Sequence, residues 1–226
     1  MRPAVPTLLS FNGGYVDTVG YLALQGLFTA HVTGNFVTVG AALVLGTSGV
    51  VAKLLALPVF CLVIILMRTL AFRLPPSWAA FETALTVKCL LLLAAAVMAI
   101  AWGPFSDGDG LRAIILGMTL VAAMAIQNAA HRIHLSSAPP STLMTGTTTQ
   151  MMIDVADMIC GVSGTARDTI KSRLRHMGAA VAGFVSGAAA GALLFHSVSV
   201  WCFVLPPVIA LLSRISTTSV PRTATT

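Results

Sequence analysis

Charge is the scarcest commodity in these 226 residues. Only 9% are Asp, Glu, Lys or Arg, against about 25% in a soluble globular domain. So few charges cannot cover a water-facing surface, and a soluble enzyme is excluded. Acidic residues are scarcer still, 7 against 13 Lys and Arg. Cys61, Cys89, Cys160 and Cys202 stand singly, with no CxxC pair or Cys/His ligand spacing, so neither zinc nor a redox dithiol is implied. There is no GxSxG elbow and no Ser with a supporting His and Asp, which removes serine-type catalysis. No Gly-rich phosphate loop or Walker sequence occurs, which removes an ATP-driven pump. No cleavable leader is expected, because Asn12, Gly13, Gly14 and Asp17 interrupt the first apolar stretch where an h-region would be continuous.

What the chain has instead is apolar sequence: 57% of its residues, with a mean hydropathy of +0.91. That length accommodates about six spans of about 20 residues with short loops. The net charge of +6 does not read as a nucleic-acid footprint, since the basic residues punctuate the ends of apolar runs rather than line one face. The expectation is an all-α integral membrane protein, with membrane lipids as its surroundings and no nucleic acid or cofactor among its partners.

Four segments read as plain membrane helices: 51–72, 79–102, 177–195 and 199–212. Pro75-Pro76 and Gly103-Pro104 end the first two, and Arg214 ends the last. Two longer stretches, 8–45 and 111–160, are broken by polar residues. In each, an apolar run carries a polar residue or pair (Asp17; Gln127-Asn128), a gap follows, and a Thr-Gly-polar triplet opens a second run (Thr33-Gly34-Asn35; Thr145-Gly146-Thr147). Each broken stretch precedes two plain helices. The chain therefore reads as two repeats, about 7–103 and 109–215, each with a discontinuous first helix, followed by a flexible cytoplasmic tail at 216–226.

With six crossings and a cytoplasmic N-terminus, the inside segments hold Arg2, Arg68, Arg73, Arg167, Lys171, Arg173, Arg175, Arg214 and Arg222. The outside loops hold Lys53 and Arg112. That is a positive-inside bias, and three crossings per copy make the copies inverted. Eight segments in a 4+4 arrangement give a similar bias, so both counts stay open.

Breaks at membrane depth persist only where they are buried in protein or line a polar cavity. Half-helices opening at Thr33 and Thr145 would offer backbone N–H groups and the positive dipole end to a small polar or anionic solute. The expected binding set is Thr33, Gly34, Asn35, Gln127, Asn128, Thr145, Gly146 and Thr147. Asp17, a carboxylate inside an apolar helix, costs roughly 3 kcal/mol on the insertion scale. Its candidate partners are a proton, a cation, Arg132 or His31. With His31, Arg132 and Asp154 it forms the expected proton- or ion-coupling set. His131 and His134 have metal-compatible spacing but no third ligand, so no metal is expected. Lys88 is expected to pair with Glu82 or to snorkel. Gly183, Gly187 and Gly191 recur every four residues, which admits a close backbone approach either within the protomer or in a homodimer.

The residues Gly14-Tyr15-Val16-Asp17-Thr18-Val19-Gly20 and 26–35 resemble the first signature of the YoaK-like bacterial membrane proteins. Gln127-Asn128-Ala129, Arg132 and the run Pro140 to Thr149 resemble its second. The match covers about residues 7 to 215. It implies a bacterial inner-membrane protein and little chemistry, because the family is a domain of unknown function. The expected function is a secondary transporter or channel-like permease, not an enzyme. A non-transporting membrane scaffold or sensor is the alternative.

Overall fold

The long apolar runs fold as helices, as 3.6-residue hydrogen bonding requires of backbone in hydrocarbon. The computed structural model describes residues 4–73, 78–142 and 144–218, and within these there are eight α-helices and no strand. They are α1 (Ala4–Ala23), α2 (Asn35–Leu45), α3 (Val50–Arg73), α4 (Trp78–Trp102), α5 (Leu111–His134), α6 (Met144–Ile159), α7 (Gly164–Val198) and α8 (Leu205–Thr218). Short 3-10 turns, Val32–Gly34 and Ser199–Val204, lead into α2 and α8. Arg2, Pro75-Pro76, Leu143 and Arg222 lie outside the described residues.

Among the described residues, four stretches are long and apolar enough to cross a membrane: Val50–Arg73, Ala79–Trp102, Leu111–His134 and Gly164–Thr217. Their outward residues suit hydrocarbon; Leu62, Ile65, Leu66 and Phe72 of α3 are all exposed. The chain thus has the make-up of a membrane protein. Burial separates the spans, with 67% of the most apolar α5 window inside the molecule and 17% of that of α3. α5 is central and α3 peripheral.

The predicted plain helix at 177–195 is longer than expected, because α7 starts at Gly164. Its 35 residues rise roughly 52 Å at 1.5 Å each, well beyond the about 30 Å of a hydrocarbon core. The extra turns carry Arg167, Asp168, Lys171, Arg173 and Arg175. Sequence hydropathy ends where these charges begin, but helix propensity does not.

Helix contacts follow a rule. α1 packs on α7 and α8, and α5 packs on α3 and α4; α2 packs on α3, and α6 on α7; α4 meets α8, and α1 meets α5. Exchanging α1–α4 for α5–α8 in order turns the first six of these contacts into one another and returns the last two to themselves. The α1–α7 contact is the closest, and glycine makes it so. A Cβ built on Gly187 would lie 2.0 Å from the Phe11 carbonyl oxygen, and one on Gly14 would lie 2.1 Å from that of Phe184. Gly183 and Gly191 meet the Thr7 and Tyr15 carbonyls at 2.9 and 3.0 Å by the same construction. The glycine stripe of α7 is therefore occupied by α1 of the same chain.

Loop contacts fix the remaining ends. Asp109 precedes α5 and accepts from the N–H groups of Gly49, Val50, Val51 and Ala52, at 2.8 to 3.2 Å. A carboxylate there satisfies the orphan donors of α3 and its positive dipole end.

Candidate functional site: a cationic cavity between the first break and α5

Asp17 sits near the C-terminal end of α1, where the following chain turns back along the helix. Its Oδ1 accepts from the backbone N–H of Thr29 at 2.8 Å and of Ala30 at 2.7 Å, with His31 N–H and Thr29 Oγ1 at 3.4 Å. Its Oδ2 lies 2.6 Å from His31 Nδ1. Of the candidate partners, His31 is thus the one in contact. The cost of a carboxylate at this depth is met by N–H donors that the non-helical loop would otherwise leave unpaired. With Nδ1 directed to Asp17, Nε2 remains as the other polar atom of the His31 ring.

Asn35 closes the same loop. Its Oδ1 accepts from Phe28 N–H and its Nδ2 donates to Phe28 C=O, both at 2.8 Å. Both ends of its amide are committed and the side chain is buried. Thr33 lies in the 3-10 turn, so α2 opens at Asn35 rather than at Thr33. Thr33 and Gly34 border the open space, and Asn35 holds the loop that presents them.

The second break is built on amides. Asn128 Oδ1 accepts from Thr142 Oγ1 at 2.6 Å. Gln127, one residue earlier, faces the other way and is fully buried. Its Oε1 accepts from Lys88 Nζ, and its Nε2 donates to Leu9 C=O at 2.9 Å and Ser141 Oγ at 3.0 Å. Lys88 therefore neither pairs with Glu82 nor snorkels; it is fully buried and bound to Gln127. A cation placed where α4 turns from its polar first turns (Glu82, Thr83, Thr86) to a purely apolar run was a signal of the same kind as Asp17.

Two cavities of about 600 Å³ flank the first break, and His31 and Thr33 line both. One is an open hollow bordered by α1 and α7 and includes Asp17, Tyr21, Phe28 and Phe184. The other lies towards α3 and α5 and joins His31 and Thr33 to Asn128, Arg132, Thr142 and Arg68. This second cavity is the candidate site. It contains hydroxyls, an amide, an imidazole and two guanidiniums, but no carboxylate. Among the described residues no carboxylate forms a salt bridge with Arg68 or Arg132. The Arg68 guanidinium lies over the Phe72 ring, 4.3 Å from its centroid, which steadies it without neutralising it.

Several expected site residues fall elsewhere. Thr145 and Gly146 already lie within α6, which opens at Met144, and both are exposed; Thr145 borders a separate hollow on the outer face of α6. Thr147 is buried, and neither cavity beside the first break includes it. Neither of the two cavities is lined by Asn35 or Thr147; the second reaches Thr33 and Asn128 instead. Asp154 is buried against α7, where Arg173 Nε donates to its Oδ2 at 2.6 Å and Nη2 to its Oδ1, with Gln150 Nε2 at 2.9 Å. It clasps α6 to α7 and borders neither cavity. His131 faces Ala138 C=O at 3.3 Å, whereas His134 lies on the Phe81 ring, so their side chains serve different neighbours. Arg68 was legible only as an orientation charge, and Thr142 only as part of a signature.

No curated protein and no solved structure matches the chain. A family match does exist, and it runs over residues 5–216, from the first turn of α1 to the last of α8. The chain belongs to the family described as "Protein of unknown function (DUF1275)".

Proposed function

We propose that this chain is a small membrane permease that carries a small polar or anionic solute through the cavity between the first break and α5. The observation that carries the reading is the convergence of His31 and Thr33 from one break with Asn128, Arg132 and Thr142 at the other. The exchangeable helix contacts support two copies of a four-helix unit, each with a broken entry, and three crossings per copy make them inverted in this reading. In that reading α1–α2 and α5–α6 are the discontinuous elements. The charged extension of α7 faces the cytoplasm with both termini, in a bacterial inner membrane. We read a carrier rather than an enzyme, because the polar groups of the lining are suited to holding a solute.

His31 is the coupling residue in this scheme. It lines both cavities, and its Nδ1 contact with Asp17 fixes the ring so that Nε2 can take or release a proton beside the solute. Asp17 positions His31 and the loop. The test is proton and solute flux in proteoliposomes carrying native protein, Asp17→Asn, His31→Gln or Arg132→Gln. Flux in the native protein and its loss in His31→Gln support the scheme. Absence of flux with a broad solute panel, or flux indifferent to Asp17 and His31, overturns it.

A further inference from the structure

The lining of the cationic cavity divides by chemistry, and α3 arranges that division along an axis. Phe60, Ile64 and Arg68 all border the cavity and recur four residues apart, so they share one face of α3. Eight residues of helix separate Phe60 from Arg68 by about 12 Å of axial rise. The apolar residues thus lie one and two turns from the guanidinium. On α5, Asn128 and Arg132 bear the same i, i+4 relation, with Ile133 beside them. Most of the lining is apolar, and its permanent charge is that of Arg68 and Arg132.

A fully hydrated inorganic ion would gain nothing from Phe60, Ile64 and Ile133, whereas a neutral apolar molecule would leave two arginines unanswered. From this distribution we propose that the cavity takes an organic monoanion with an apolar body, of the medium-chain carboxylate class. Its oxyanion meets Arg68 and Arg132, and its body lies along Phe60 and Ile64. Guanidinium groups suit carboxylate oxygens because their N–H donors form a planar fork. The proposal rests on reading this cavity as the solute site and names the solute class. It gives Arg68, on the peripheral helix, a role in specificity.

An amphiphilic anion has two sources, a free acid or an anionic lipid, and the experiment separates them. Detergent-purified protein is titrated with octanoate, acetate, octan-1-ol, inorganic phosphate and phosphatidylglycerol, and the melting temperature is followed. A ligand that favours the folded state raises it in a saturable way. The expected result is a saturable rise with octanoate and little change with the other four. In Arg68→Gln and Arg132→Gln the octanoate affinity falls about tenfold or more, equivalent to about 1.4 kcal/mol. Both side chains are exposed, so the ligand-free melting temperature of each variant stays at the native value and reports that it has folded. Phe60→Ser weakens octanoate binding and leaves any residual acetate response unchanged. Equal shifts with acetate and octanoate overturn the apolar body, and equal shifts with octanol and octanoate overturn the anion. A shift with phosphatidylglycerol but not octanoate gives the site to a lipid headgroup. No shift with any of the five also overturns the proposal. Octanoate binding without flux in proteoliposomes leaves this assignment standing and defeats the permease reading, so the two fail separately.

Discussion

The two breaks share a frame and differ in what fills it. In each, a polar side chain late in the long helix holds a residue 14 positions further on: Asp17 holds His31, and Asn128 holds Thr142, both at 2.6 Å. The spacing is the same because the same turn must be closed, from a helix that ends to a chain that folds back beside it. The first break closes it with two ionisable groups, the second with an amide and a hydroxyl. Beside the second break Lys88, brought by α4, is buried against Gln127, whereas Arg132, four residues past Asn128, lines the cavity. One frame has therefore been filled once with ionisable groups beside open space, and once with a neutral amide and hydroxyl. In the proposed scheme the coupling belongs to the first break, and the second supplies the opposite wall.

That contrast can be broken by substitution, and the effects rank by how many donors lose a partner. Asp17→Ala removes the acceptor of several N–H groups and of His31, and hydrogen bonds to charged groups are worth about 1.5–3 kcal/mol each. It is expected to yield little folded protein, which size-exclusion chromatography of the detergent extract reads directly. Recovery at native levels with an unchanged melting temperature would place the loop's stability elsewhere. Gly187→Ala comes next, because its Cβ meets the Phe11 carbonyl. Overpacking of this kind costs about 1–3 kcal/mol, and α1 bears the first break, so the melting temperature should fall by several degrees. A native melting temperature would show that the two helices can part cheaply.

Gln127→Leu leaves Lys88 without its acceptor and is expected to lower stability by about 1–3 kcal/mol. The double variant Gln127→Leu, Lys88→Met should recover most of that loss, since a buried polar pair replaced by apolar groups is often neutral. Failure to recover, in urea or thermal melts, would place the loss on the Leu9 C=O and Ser141 Oγ that Gln127 also serves. The smallest effect belongs to Asn128→Ala, which removes only neutral hydrogen bonds, from Thr142 and to the Met124 C=O that α5 already engages, and should cost about 1 kcal/mol. If it matched Asp17→Ala, the two breaks would not differ in the way their side chains indicate.

Legibility in the sequence followed the same line. The break positions were readable, because a polar residue inside an apolar run has few places to go. Asp17, His31, Asn128 and Arg132 could be named from the sequence, and two of the open alternatives for Asp17 and the glycine stripe resolve to His31 and to α1. Thr145, Gly146, Thr147 and Asp154 were equally conspicuous but serve the outer face of α6, its buried side or its clasp to α7. Type and spacing are the same on either face of a helix, and only the packing of α6 against α7 decides which face meets a cavity. Arg68 shows the converse, since a residue that looked like an orientation marker acquires a site only because α3 packs on α5.

Scarcity of charge, by itself, determined that most of this surface meets hydrocarbon, because no arrangement of so few charges can solvate it. It also determined that the polar breaks would be structured, since unpaired backbone in an apolar medium is too costly to leave. Tertiary structure alone decided which polar groups the breaks would face. Partner choice depends on helices that are distant in sequence: α7 closing on α1 through glycine, α4 bringing Lys88 to Gln127, and α3 bringing Arg68 to the cavity. Local sequence sets a side chain's chemistry and its place along a helix, whereas the neighbour it meets is fixed by how the apolar faces of all eight helices pack together.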